Sequence, residues 1–237
     1  MRPLHVEENH LHDLDRWMTL ADADLIAGVY ESYGDTFAVV SSFGTESAVL
    51  LHLAATVDPN IPVIFLNTGK LFGETLRYRR TLSERLGLTR ITVIEPDERA
   101  VAAEDPKGAL WLHNPNACCA LRKVRPLAQA LRPLSAWTSG RKAYQGAMRS
   151  KLGTVELDGQ RLKINPLANW SRTDIENYFA KHELPPHPLE ADGYASVGCM
   201  PCTTPVAPGE NARAGRWRDQ DKTECGIHLV TELEAAT

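Results

Sequence analysis

The sequence predicts an α/β fold with a doubly wound, mostly parallel sheet. Short apolar runs of strand length alternate with helix-length amphipathic stretches, the pattern of β-α-β units. The chain has 237 residues, 43% of them hydrophobic, enough for one large core with an appended segment. No internal repeat or low-complexity stretch competes with that reading.

An amphipathic stretch at residues 20–30 leads into an apolar run at 36–43. A turn containing Gly44 follows, and residues 48–57 are apolar over a helical length. Residues 61–66 are the second strand candidate and 72–86 the next helix. Further strand candidates lie at 91–95, 135–138 and 161–164. Asp158-Gly159 connects Val155-Glu156-Leu157 to the last of these as a hairpin turn. Pro126 interrupts a helical pattern of Leu121, Val124, Leu127 and Leu131, so a kink or restart is expected there. Ser171 is placed to cap a helix with Asp174 in its first turn, ending near His182 ahead of two prolines. After Gly193 the chain turns rich in glycine, proline and basic residues and poor in aliphatics. Residues 1–192 are therefore read as the α/β core, and 193–237 as a tail laid over the active site.

A net charge of −4 argues against a general nucleic-acid or anionic-membrane surface. No apolar run approaches the roughly 18–20 residues needed to cross a bilayer. The first fifteen residues lack the basic-then-apolar pattern of a signal peptide. A cytoplasmic location is expected, with no nucleic-acid or membrane partner. In that compartment thiols stay reduced, so closely spaced cysteines point to metal binding or catalysis.

The five cysteines fall as Cys118-Cys119, Cys199-x-x-Cys202 and a lone Cys225. Two pairs supply the four thiolates of one metal or iron–sulfur site. Structural zinc sites use two looped knuckles, whereas vicinal cysteines suit neighbouring irons, so a [4Fe–4S] cluster is favoured over zinc. The plainer alternative makes Cys118 and Cys119 small buried residues. Lys123, four residues past Cys119, shares its helical face and could offset cluster charge; by spacing alone it also reads as a solvated surface lysine. Cys225 has Lys222, Glu224 and His228 beside it, with Arg213, Arg216 and Arg218 upstream, a cationic setting that favours a reactive thiolate. Its polar, glycine-flanked segment argues against deep burial. Residues 41–47, between strand and helix, place a glycine, serine hydroxyls and a helix N-terminus where an anion could sit, although an ordinary β–α turn reads the same way. The loop Gly140-Arg141-Lys142 with Arg149 follows a strand candidate, and with Arg213 and Arg216 it suits a doubly charged anion.

These stretches together resemble the assimilatory adenylyl-sulfate/phosphoadenylyl-sulfate reductase family, within the adenine-nucleotide α-hydrolase-like (PP-loop) folds. The matching segments are SSFGTES (41–47), LNTGKLFGET (66–75), CCALRKVRPL (118–127), WTSGRKAYQGAMR (137–149), INPLANWS (164–171) and the tail from Gly193 through KTECGIHL. The resemblance implies thioredoxin-dependent reduction of adenylyl sulfate to sulfite and AMP, in sulfate assimilation and cysteine biosynthesis. The implied nucleophile is Cys225, through an S-sulfocysteine. Ser42, Gly44 and Ser47 would surround the phosphosulfate, and the Leu66 backbone would meet adenine. Lys123, Arg149, Arg213, Arg216 and His228 would hold the anion and shape the pocket. Cys118, Cys119, Cys199 and Cys202 would ligate [4Fe–4S]; with no open position, such a cluster is expected to tune charge or structure. Members with both cysteine pairs mostly use adenylyl sulfate, whereas those restricted to the 3′-phosphorylated form generally keep only the tail cysteine. The thiol donor, thioredoxin or a relative, would be a separate protein. Homo-oligomers are common in the family, and the tail is expected to be partly mobile.

Asn67, Lys142 and Asn211 depart from residues common in the family, and the first two are expected near the nucleotide pocket. The competing readings are a reductase of the 3′-phosphorylated substrate or of both, a PP-loop tRNA-thiolation enzyme, and a zinc-stabilised interaction module. The tRNA reading is weakened by the absence of a Ser-Gly-Gly-x-Asp-Ser loop and of a basic surface.

Overall fold

The computed structural model describes residues 9–146, 149, 151–218 and 220–228. Helices α1 (Asn9–Met18) and α2 (Asp22–Tyr33) precede β1 (Phe37–Ser41). Then come α3 (Ser47–Val57), β2 (Val63–Leu66), α4 (Gly73–Leu86) and β3 (Ile91–Ile94). Three short helices follow, α5 (Glu98–Glu104), α6 (Leu110–His113) and α7 (Pro115–Cys119), then α8 (Arg125–Leu131) and β4 (Ala136–Thr138). The core closes with β5 (Val155–Asp158), β6 (Arg161–Ile164) and α9 (Arg172–Lys181).

The six strands form one sheet in the order β3-β2-β1-β4-β6-β5. Every pairing is parallel except the β5–β6 hairpin. Gly159 turns that hairpin with φ of 64°. The order runs outward from β1 in both directions, so the winding reverses between β1 and β4. At such a switch point the loops after the strands part and leave a crevice.

Strands β1, β2 and β4 are buried along their whole length, as a sheet covered on both faces requires. Alternation divides their side chains. Phe37, Val39, Val63 and Phe65 enter the larger core, which α2, α3 and α4 close with Leu25, Leu51 and Leu82. Ala38, Val40, Ile64, Leu66 and Trp137 face the other way, onto Val124, Leu127 and Leu131. The segment carrying the cysteine pair is therefore anchored on the second face of the sheet.

Between α7 and α8 the helix widens into a π turn, Ala120–Val124, and resumes with Pro126 in the first turn of α8. The proline cannot donate to the preceding turn, and the restart expected from sequence occurs there. Ser171 caps α9 in a reciprocal box. Its hydroxyl accepts from the Asp174 N–H at 3.1 Å, and the Asp174 carboxylate accepts from the Ser171 N–H at 2.7 Å.

Helices α5 to α7 were not legible from periodicity. They are held by a buried ion pair: Arg122 Nη2 donates to Asp105 Oδ2 at 2.8 Å, with side-chain exposures of 7% and 2%. Asp105 also accepts from the Leu110 N–H at 2.9 Å, and Arg122 donates to the Thr68 carbonyl at 3.0 Å. Replacing Asp105 with alanine strands a buried guanidinium and is expected to cost about 3–5 kcal/mol. Urea denaturation of D105A, compared with the wild type, measures this; a loss below about 1 kcal/mol would show the pair to be dispensable.

The described residues between 193 and 228 lie against the core as a loop layer. Met200 N–H donates to the Lys70 carbonyl at 2.8 Å, and Leu71 pairs with Cys199. Val197 packs on Phe72 and Leu189, and Trp217 is 3% exposed. Gly198 is required by a close approach, since a Cβ there would sit 2.2 Å from Arg216 Nη2. Residues 229–237 of the tail lie outside the described residues. Among the described residues, no helix is long and apolar enough to cross a membrane.

Candidate active site

The crevice between β1 and β4 opens into a cavity of about 220 Å³. On one side is the loop 41–47. The N-cap of α3, Glu46, makes no side-chain capping bond; the Ser47 N–H donates to the Gly44 carbonyl at 3.1 Å, and Ser41 Oγ accepts from the Phe43 N–H at 3.2 Å. Phe43 adopts a left-handed φ of 49°, a strained choice for a bulky side chain. Its ring is fully buried and stands edge-on to Phe65 at 5.3 Å, which holds the turn in place. Gly44 passes beneath Val197, whose carbonyl would lie 3.3 Å from a Cβ. The loop therefore presents its backbone and the hydroxyls of Ser42 and Ser47 to the cavity.

Leu66 lines the cavity at the end of β2, and Lys123 reaches it from the π turn. The tail contributes Arg213, Arg216, His228 and Cys225, and Arg149 enters from the loop after β4. The structure thus brings all nine substrate-contact candidates and the candidate nucleophile to one cavity. Cys225 is half-buried, and Ile227 packs on the second-face core, seating the tail there.

The cations divide into two groups. Arg149 donates to both carboxylate oxygens of Glu224, at 2.7 and 2.8 Å. Arg213 reaches the same carboxylate at 3.2 Å. Lys142 is buried on Glu46 at 2.7 Å, and Arg141 is tied to Glu156. The basic loop expected to hold an anion is therefore neutralised at both of these residues. Lys123 and Arg216 have no carboxylate partner among the described residues. Arg216 lies over the Trp217 ring at 4.5 Å, and its Nε is buried without a hydrogen-bond partner.

Burial acts to raise the Glu46 carboxyl, but Lys142 and hydrogen bonds from Tyr144 and Gln145 outweigh it and hold it below the usual range. His228 stacks on Trp137 with ring centroids 6.3 Å apart. Burial, with Arg141, Lys163, Arg149 and Arg213 nearby, pushes its pKa well down and keeps the imidazole neutral. Burial also draws Lys163 down to about 8, as its ammonium lies 4.7 Å over the Trp137 ring.

A second, smaller cavity adjoins the first and is lined by Cys118, Cys119, Cys199 and Cys202. All four are free thiols. Burial raises Cys118 to about 11, with the nearby cysteines adding to the rise. Burial likewise raises Cys119 and Cys202. Among the described residues, no three potential ligands close tightly enough to hold a single metal ion. The four thiols line one shared cavity, the number of ligands that one four-thiolate group requires. Cations flank them: Lys70, Arg122 and Lys123 line the same cavity. Lys123 faces both cavities and is half-buried, not a solvated surface residue. Burial works against its charge, yet Cys199, Cys225 and Cys119 outweigh that and raise its pKa.

Several expectations need correction. Asn67 lies near the main cavity, between Leu66 and Thr68 which line it, but its side chain turns away, donating to Glu95 at 2.8 Å and lining a neighbouring cleft. Lys142 does line the main cavity, with its charge spent on Glu46. Arg218 is engaged by Glu210 at 3.0 Å, and Lys222 by Asn116 and the Trp217 ring. Glu46, Glu156 and Lys163 were missed, and Glu224 was noted only as a flank. An acidic residue beside a cysteine in a basic tail was the signal that could have drawn attention to Glu224.

A profile of the phosphoadenosine phosphosulfate reductase domain matches residues 36–205. An adenosine 5′-phosphosulfate reductase of Mesorhizobium japonicum is 53% identical over 84% of this chain and 78% of its own length. One from Chelativorans is 44% identical over 100% and 97%. A phosphoadenosine 5′-phosphosulfate reductase of Gloeobacter violaceus is 38% identical over 94% and 95%. A Candida auris phosphoadenylyl-sulfate reductase crystal structure shares the fold, with a TM-score of 0.70 at 21% identity, covering 86% of this chain and all of the other. Yeast FAD synthetase superposes more loosely, at 0.54 and 15% identity over 86% and 70%. The open parallel sheet, the profile match and these relatives agree: the chain belongs to the phosphoadenosine phosphosulfate reductase family.

Proposed function

We infer that this enzyme reduces adenylyl sulfate to sulfite and AMP, with Cys225 as nucleophile and a separate thiol protein of the thioredoxin kind as reductant. One observation carries the reading: Cys225 lines the same cavity as the uncapped start of α3, with Lys123 and Arg216 uncommitted to any carboxylate among the described residues.

The Cys225 thiolate attacks the sulfur of the phosphosulfate. A sulfur–sulfur bond forms, the bond to the phosphate oxygen breaks, and AMP leaves with the electron pair. Charge develops on the departing phosphate, where the α3 N–H groups and the two cations lower the barrier. A donor thiolate then attacks Cys225 Sγ and expels sulfite, leaving a mixed disulfide. The donor's second thiol resolves it, so two thiols supply the two electrons. His228, neutral and half-buried, lines the pocket without adding charge.

Cys118, Cys119, Cys199 and Cys202 are read as ligands of a [4Fe–4S] cluster. When bound, such a cluster would supply negative charge, and Lys123, which lines both cavities, would offset it. Residues 193–237 form the functional tail, which carries the nucleophile to the substrate and then to the donor.

Adenylyl sulfate is favoured over its 3′-phosphorylated form because both cysteine pairs are present, and Arg141 and Lys142 of the basic loop are already neutralised. The two adenosine 5′-phosphosulfate reductases above support the same choice. Steady-state sulfite release with each substrate, under anaerobic conditions with thioredoxin, is expected to favour adenylyl sulfate in kcat/KM by at least about tenfold, or ~1.4 kcal/mol. Equal or reversed preference would overturn the choice of substrate.

A further inference from the structure

Glu224 stands next to the candidate nucleophile and uses both carboxylate oxygens. Arg149 grips it with Nε at 2.7 Å and Nη2 at 2.8 Å. The remaining nitrogen of that guanidinium, Nη1, donates to Gln145 Oε1 at 2.6 Å. Arg149 is 9% exposed, so its hydrogen-bonding edges are committed inside the protein. Arg213 donates from Nη2 to Glu224 and, at 2.8 Å, to the Thr223 carbonyl. Arg149 therefore holds the Glu224 side chain from the core, and Arg213, itself in the tail, holds that side chain and the Thr223 backbone just before Cys225.

The contact continues inward. Gln145 Nε2 donates to Glu46 Oε2 at 2.7 Å, and Tyr144 and Lys142 hold the same carboxylate at 2.7 Å. Glu46 is the residue at the start of α3. A continuous polar chain thus runs from the nucleophile's neighbour to the anion loop. Bidentate carboxylate–guanidinium pairing fixes direction as well as distance.

We propose that Glu224 is a positioning residue: by engaging Arg149 and Arg213 it holds Cys225 in register with the loop 41–47, while Lys123 and Arg216 face the phosphosulfate. This divides cations that the family resemblance had grouped as anion holders. It rests on the reaction proposed above. The physical expectation is that a small misplacement of the nucleophile lowers the rate of attack without weakening nucleotide binding.

The test is Glu224→Gln in the anaerobically purified, iron-loaded protein, with Glu224→Asp as the conservative variant. Three quantities are read: single-turnover formation of the sulfonate adduct on Cys225, AMP affinity by calorimetry, and alkylation of Cys225 by neutral iodoacetamide, located by peptide mass. E224Q is expected to slow adduct formation by about 10–100-fold, with AMP affinity within about threefold of wild type and faster Cys225 alkylation. E224D is expected to recover part of the rate, which a general folding defect would not allow. Unchanged adduct formation would overturn the proposal. So would AMP binding at least about tenfold tighter in E224Q, which would make Glu224 a competitor of the ligand for the arginines. If the wild type forms no adduct, the reaction reading fails, and the alkylation rate still decides whether Glu224 fixes the tail: an unchanged rate in E224Q would overturn that too.

Discussion

Replacing Cys225 with serine is expected to cut sulfite formation from adenylyl sulfate by at least about 10³-fold while leaving AMP binding intact. A serine hydroxyl carries no accessible anion at neutral pH and is a poor nucleophile toward sulfur. Even if it were sulfonated, the product would be a sulfate ester. It would contain no sulfur–sulfur bond for a donor thiol to break, so no sulfite could leave. Cys225 is only half-buried, and the exchange removes little volume, so the fold should survive. Coupled sulfite assay and AMP calorimetry on C225S check both halves. Sulfite release near the wild-type rate would move the nucleophile to another cysteine.

Cys199→Ser is expected to have the next largest effect, loss of most bound iron with a fall in activity and in thermal stability. Cys199 sits where the tail meets the core. Its sulfur lies 3.3 Å from the Thr68 hydroxyl, and its carbonyl accepts from Thr203 Oγ1 at 2.8 Å. It is 7% exposed. A group held by four thiolates couples its own binding to the stability of both elements it joins. Iron and acid-labile sulfide analysis, visible absorption and thermal unfolding of C199S measure this, with C225S as the variant that should keep its iron. Wild-type protein that is colourless with one zinc per chain would support the interaction-module reading instead.

Much of the fold was legible because the strands are short apolar runs punctuated by glycine. β6 begins and ends where the sequence places it, and α3 and α9 start within a residue of expectation. Helices α5 to α7 were not, since each has seven residues or fewer. Too few turns repeat to give a helical period, and their stability comes from the Asp105–Arg122 pair, which joins positions 17 residues apart. The site was legible where chemistry resides in residue type, as in the cysteines and the glycine-serine loop. Charge pairing was not. Sequence counts Arg141, Lys142, Arg149 and Arg213 as basic, and only the fold shows Glu156, Glu46 and Glu224 opposite them. Asn67 lies beside the cavity as expected, between Leu66 and Thr68, but the direction of its side chain, toward Glu95, depends on the local turn and was not legible.

The most direct test of the central claim is the mass of the protein after reaction with adenylyl sulfate in the absence of any thiol. The account predicts a sulfonate adduct on the peptide containing Cys225, formed in step with one AMP per chain and removed by reduced thioredoxin with release of sulfite. AMP released without an adduct, or an adduct confined to one of the other four cysteines, would contradict it.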